Sequence, residues 1–117
     1  MTETLFPQRR NDGTFTVAVR YAVPDVASLP AMREALDGWL QQKTGGHDRT
    51  LLSEFATRPH LDSVDAGTVQ VVLDCLASAA LWKGFMIEIT KTLDDSPGVT
   101  RLGFWDLVSG QPHPASS

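Results

Sequence analysis

The sequence predicts an α+β sandwich, a four-stranded antiparallel sheet with two helices on one face. Three observations carry that prediction. Phe15–Val23 and Thr68–Leu76 alternate apolar and other residues with the period of two that a strand imposes on its faces. Met32–Leu40 and Leu81–Leu93 instead repeat apolar residues at helical spacing. The chain has 117 residues, 42% of them hydrophobic and 21% charged, which suits one globular domain with a modest core.

Each element can be justified in turn. Residues 1–13 are polar, end in the turn-forming Asn11-Asp12-Gly13, and are expected to form a flexible arm before a domain at 14–109. Phe15–Val23 is the first strand, stopped by Pro24. Phe15, Val17, Val19 and Tyr21 share one face, and Thr16, Ala18 and Arg20 share the other. Ser28 is the expected N-cap of the first helix, with Pro30 in its first turn where a missing N–H costs least. Met32, Leu36, Trp39 and Leu40 form its inner stripe, Arg33, Glu34, Asp37 and Gln41 its outer face, and Thr44-Gly45-Gly46 its end.

Thr50–Thr57 reads as the second strand and Pro59–Gly67 as its connection to the third, Thr68–Leu76. There Val69, Val71, Leu73 and Cys75 share a face, while Gln70, Val72 and Asp74 point away. Ser78 is placed to cap a second helix running to Leu93, and Asp94-Asp95-Ser96-Pro97-Gly98 breaks it. Leu81, Trp82, Phe85, Met86 and Ile89 span more arc than one sheet-facing stripe needs. The surplus around Trp82 either wraps over the hairpin or forms a second contact surface, and the core reading is preferred. Val99–Val108 is the last strand, with Leu102, Phe104 and Val108 on one face and Arg101, Trp105 and Leu107 on the other. Residues 110–117, with Pro112 and Pro114, are expected to be a disordered tail.

Strand, helix, strand, strand, helix, strand is the order of a ferredoxin-like βαββαβ sandwich. Right-handed crossovers place both helices on one face, with the first and third strands central and the fourth beside the first. Arg20 and Asp74 then occupy adjacent central strands on the uncovered face, with Trp105 beside Arg20. That face also carries Ala18, Val72 and Leu107, too much apolar surface to leave wet. Self-association into a homodimer covers it, provided that Arg20 and Asp74 are paired once buried. A structural ion pair is the simpler reading of those two residues. Paired charges beside a tryptophan are also what a small-molecule pocket contains.

The remaining composition excludes more than it suggests. A net charge of −4 and a pI near 5.2 oppose nucleic-acid binding, and Arg9-Arg10 is the single adjacent basic pair. One cysteine, Cys75, allows no disulfide within the chain and reads as a small core hydrophobe. No leader and no apolar run of roughly 18 residues is visible, so the expectation is a soluble cytoplasmic protein that does not enter a membrane. His47 and His60 fall in expected loops and His113 in the tail, so no metal or haem site is expected. Gly45-Gly46 precedes no helix and cradles no phosphate, and Ser53 and Ser63 lack a triad arrangement. No cofactor is expected.

Over about residues 14–108 the element order and the half-apolar sheet face resemble the dimeric α/β-barrel proteins. These include cofactor-independent monooxygenases, polyketide cyclases, isomerases and chlorite-dismutase-like haem proteins. The resemblance lies in architecture and carries no motif. It implies a homodimer and a small cofactor-independent enzyme acting on an apolar or aromatic metabolite at the sheet face. Trp105 would stack on the substrate, and Arg20 would hold an oxyanion or carboxylate. Asp74 would orient Arg20 or act as general base, with Gln70 and Arg101 lining the same pocket. The alternative is a non-catalytic dimerisation, partner-binding or ligand-sensing module using the same face.

Overall fold

The structure is a computed structural model that describes residues 8–45, 55–57, 59–79 and 81–113. Its elements are β1 (Phe15–Ala22), a 3-10 turn (Val26–Ser28), α1 (Leu29–Gly45), β2 (His60–Asp65), β3 (Thr68–Cys75), α2 (Trp82–Asp94), β4 (Thr100–Asp106) and β5 (Gln111–His113). The strands form one antiparallel sheet in the order β2-β3-β1-β4-β5. The class is α+β, with five strands among the described residues where four were expected. The central strands are β3 and β1, and each helical connection skips one strand.

The period-two pattern explains the core. Phe15, Val17, Val19 and Tyr21 of β1 and Val71, Leu73 and Cys75 of β3 are all buried on one sheet face. Met32, Leu36, Trp39 and Leu40 of α1 and Phe85, Met86, Ile89 and Leu93 of α2 close over that face. Fully burying one such side chain stabilises by roughly 1.5–3 kcal/mol, so this layer dominates the favourable terms. The Trp39 indole N–H donates to Glu88 Oε1 at 3.1 Å and its ring meets Phe85 edge-on at 6.0 Å, which ties the two helices together.

Several expectations are corrected. The second strand is His60–Asp65, joined to β3 by a two-residue turn at Ala66-Gly67. The span Thr50–Thr57 lies outside the described residues from 50 to 54, and Phe55 contributes an isolated bridge to Cys75. The reason is exposure. All of β2 except the partly buried Leu61 is open to solvent, so an edge strand has no apolar face to announce it. Ser28 does not cap α1. Asp25 caps the 3-10 turn that leads into it, by accepting from the Ala27 amide at 2.9 Å, and Ser28 Oγ donates to the Pro97 carbonyl instead. The N-cap position of α2 is Leu81, with no side-chain cap, rather than Ser78.

The last strand ends at Asp106, and residues assigned to the tail return as β5 along its outer edge. The arm is also anchored from residue 8 onward. Gly13, at φ +87°, sits where an added Cβ would come within 2.8 Å of the Ala77 Cβ, so glycine permits that close approach. Beside it Arg9 donates to the Gly13 and Ala77 carbonyls, both at 2.9 Å, and its guanidinium stacks 4.7 Å from the Phe15 ring centroid. Trp82 is core, 3% exposed and edge-on to Phe15 at 5.6 Å. The surplus apolar surface of that region belongs to Leu81 and Ile87, both about half exposed.

Candidate functional site

The sheet face opposite the helices is laid out by cross-strand register. Directly opposed residues share a face. One row therefore runs Asp62–Gln70–Arg20–Gly103 across β2, β3, β1 and β4. The next runs His60–Val72–Ala18–Trp105–Pro112, reaching β5. Beyond it Asp74 opposes Thr16. An apolar row, Val72, Ala18, Trp105 and Pro112, thus crosses the sheet with polar residues on both sides.

Arg20 is held by its neighbours. Its Nε donates to Gln70 Oε1 at 3.1 Å, and its guanidinium carbon lies 4.3 Å from the Trp105 ring centroid. The position opposite it on β4 is Gly103, which has no side chain to keep the guanidinium off the indole. A cation over a tryptophan face is worth about 0.5–2 kcal/mol, according to how far it is desolvated. Ala18 has no exposed surface and Val72 only 7%, so this cover lies close on the sheet.

Asp74 does not meet Arg20. It sits four residues along the strand from Gln70, roughly 13 Å away at a strand's rise. Its Oδ1 accepts from Thr16 Oγ1 at 2.9 Å and its Oδ2 from Thr57 Oγ1 at 2.7 Å. Arg10 Nη2 in turn donates to Thr16 Oγ1 at 2.7 Å, so a guanidinium reaches this carboxylate through one hydroxyl. The expected Arg20–Asp74 pair within one chain is replaced by two separate clusters, Arg20–Gln70–Trp105 and Arg10–Thr16–Asp74–Thr57. Thr16 and Thr57 were not singled out in the sequence, because a short polar side chain alternating with apolar ones carries no signal of its own, and Arg10 was read only as part of a basic pair in the arm.

Arg101 is not on this face. A bulge between Arg20 and Tyr21 inserts Leu102 as an extra residue in β4, with Gly103 at φ 137°, so Arg101 opposes Tyr21 on the helix side. There it faces Asp94 of α2 at 3.5 Å, and Asp94 also accepts from the Tyr21 hydroxyl at 3.0 Å. Burial, and then the Asp94 charge, push the Tyr21 phenol far above its ordinary range. Leu102, expected on the apolar face, is 49% exposed.

Asp106 stands at the end of β4. Burial pushes its carboxyl up, but hydrogen bonds from the Gln8, Ser109 and Val108 amides outweigh this and hold it below its ordinary value. It latches the arm and the β4–β5 turn. Among the described residues no three His, Cys, Asp or Glu side chains gather as a metal-ligand group. No helix is long and apolar enough to cross a membrane among the same residues. A cavity of about 520 Å³ lies between α1 and the β2 edge, walled by Leu36, Leu40 and Leu61 with Arg33, Asp37 and His60. One of about 250 Å³ lies against α2 at Gly84 and Phe85.

No family model matches the chain, and neither a curated protein nor a solved structure matches it.

Proposed function

We propose that this chain is a ferredoxin-like interaction module, extended by an edge strand, that pairs with a second copy of itself through the open sheet face. The observation that carries the reading is the apolar row Val72–Ala18–Trp105–Pro112 between two polar rows, of which Trp105 and Pro112 keep accessible surface while Val72 and Ala18 are already covered within the chain. Two such sheets stack about 10 Å apart when their inner faces interdigitate. A two-fold axis along the row lays each row on its own image. It also sets the Arg20–Gln70 row of one copy over the Thr16–Asp74 row of the other. Arg20 then lies within one strand spacing, about 4.8 Å, of facing the partner's Asp74. The two charges that do not pair within a chain would pair across the interface, in the self-complementary manner of an isologous contact. Catalysis at this face is the weaker reading, because Arg20 and Asp74 each already bond to a neighbour and lie too far apart to act on one small molecule.

The experiment is a charge swap read by sedimentation equilibrium. Wild type is expected to sediment as a dimer. Arg20→Asp and Asp74→Arg each place like charges opposite one another and should sediment as folded monomers by circular dichroism. The double variant restores the cross-interface pairing and should recover the dimer. A monomeric wild type would overturn the proposal, as would two single variants that dimerise like wild type.

A further inference from the structure

The N-terminal arm reaches the open sheet face as well as the core. Its turn at Asn11-Asp12-Gly13 is tied by the Gly13 amide donating to the Arg10 carbonyl at 2.9 Å and the Arg10 amide to the Thr14 carbonyl at 2.8 Å. Asp12 accepts from the Thr14 amide at 3.0 Å and hydroxyl at 2.6 Å, and the Gln8 amide is fixed on Asp106 at 2.8 Å. From this anchored turn two adjacent arginines go to opposite faces of β1. Arg9 lies over the Phe15 ring on the helix side, while Arg10 Nη2 donates to Thr16 Oγ1 at 2.7 Å on the open side. Register puts Thr16 on the open face, yet it is only 4% exposed. Arg10, itself exposed, lies as a strap over the Thr16–Asp74 end of that face.

We infer that Arg10 is an autoinhibitory strap that competes with the partner's Arg20 for Asp74, a role that rests on the sheet-face pairing proposed above. Asp74 already accepts from the Thr16 hydroxyl at 2.9 Å and the Thr57 hydroxyl at 2.7 Å, and the Arg10 guanidinium stands one hydroxyl away. A second guanidinium brought over the same carboxylate must share it with the first. Like charges a few ångström apart repel, and the more so as an interface sheds water between them. Pairing therefore proceeds only as Arg10 is displaced or its repulsion is tolerated. An exposed arginine on an anchored turn can swing away, so the strap weakens pairing without forbidding it. Arg9 carries the same charge but sits on the other side of the sheet, which leaves Arg10 as the arm's cation at this surface.

The test compares wild type with Arg10→Gln by sedimentation equilibrium over a range of loading concentrations. Glutamine keeps a donor for Thr16 and removes the charge at an exposed position, so the fold is retained, as circular dichroism would verify. The dimer dissociation constant is expected to fall about tenfold, because each dimer relieves the repulsion at both of its symmetry-related ends. The direction is diagnostic. The chain carries a net charge of −4, so loss of a cation elsewhere raises the general repulsion between copies and weakens pairing. Arg33→Gln makes the same charge change on α1 and should leave the constant unchanged or raise it. The gap between wild type and Arg10→Gln should narrow in about 1 M salt, where screening acts within roughly 3 Å. A dimeric wild type that Arg10→Gln leaves unchanged or weakens would overturn this inference and leave the sheet-face pairing standing. Equal tightening by Arg33→Gln would do the same. Wild type and Arg10→Gln both monomeric at every concentration would overturn the two together.

Discussion

Replacing Tyr21 with phenylalanine isolates one buried polar contact and gives it a pH signature. The ring has no exposed surface and its hydroxyl donates to Asp94 at 3.0 Å, so Tyr21→Phe keeps the packing and removes only the donor. A hydrogen bond to a charged group contributes about 1.5–3 kcal/mol. Asp94 keeps Arg101 at 3.5 Å and its side chain is 38% exposed, so water can replace the lost donor and the low end, about 1.5 kcal/mol, applies. For a domain of this size that lowers Tm by about 5 °C. The phenol is raised in the folded state, so the stability it supplies is present below the unfolded pKa near 10 and lost as pH rises above it. Each further pH unit then removes about 1.4 kcal/mol from wild type and nothing from Tyr21→Phe. The two stability curves should therefore cross at about pH 11. Urea unfolding of both proteins between pH 7 and pH 11.5 measures this, and lysine titration cancels in the difference. Tyr21 is the sole tyrosine, so phenolate absorbance reports it alone. A folded phenol titrating near pH 10, or parallel stability curves, would refute the reasoning.

Two further outcomes follow from the same structure. Asp106→Asn removes the charge that the Gln8, Val108 and Ser109 amides converge on, and should lose about 1–2 kcal/mol of stability at pH 7, with faster exchange of those amides. Because the folded carboxyl is held low, that contribution is present above the ordinary carboxylate range and fades as pH falls through the lowered value. Wild type and variant should therefore converge in acid, and a constant gap down to pH 2 would contradict the latch. Trp82→Ala should cost about 3–5 kcal/mol in denaturant unfolding, as for a large aromatic removed from a core, since its ring is 3% exposed against Phe15. A loss under about 0.5 kcal/mol would mean that the ring serves a surface instead.

How far the sequence could be read follows from what each signal measures. The inner faces of β1 and β3 and the stripes of α1 and α2 were legible because burial on one side imposes a period, and every residue of those stripes except Leu81 is buried. Edges carry no such signal. In β2 the residues His60, Asp62, Ser63, Val64 and Asp65 are exposed, and β5 holds a proline, so both edge strands read as loop. The β4 bulge was invisible for a related reason. One inserted residue reverses the faces before it, and Gly103 was the only mark of it. The helix starts misled because Ser28 and Ser78 carry the residue type of a cap, while the caps form elsewhere or not at all.

The misplaced pairing of Arg20 with Asp74 has the deepest cause. Alternation with period two specifies the face of each side chain, and a slip of one residue would turn every one of them over. A slip of two or four residues changes no face at all. The pattern in β1 and β3 is therefore equally content with Arg20 opposite Gln70, Val72 or Asp74, and only the packed register, Phe15 with Cys75 through Ala22 with Thr68, decides among them. That register leaves the arginine and the aspartate on the same face, on opposite sides of one apolar row. Such a separation is wasteful for a pair inside one chain. In the proposed dimer a two-fold repeat of the face would put the distance to use, carrying the aspartate side of one copy over the arginine side of the other. The charge-swap experiment thus tests a register the sequence could not specify, and rescue by the double variant is the outcome that a site confined to one chain would not produce.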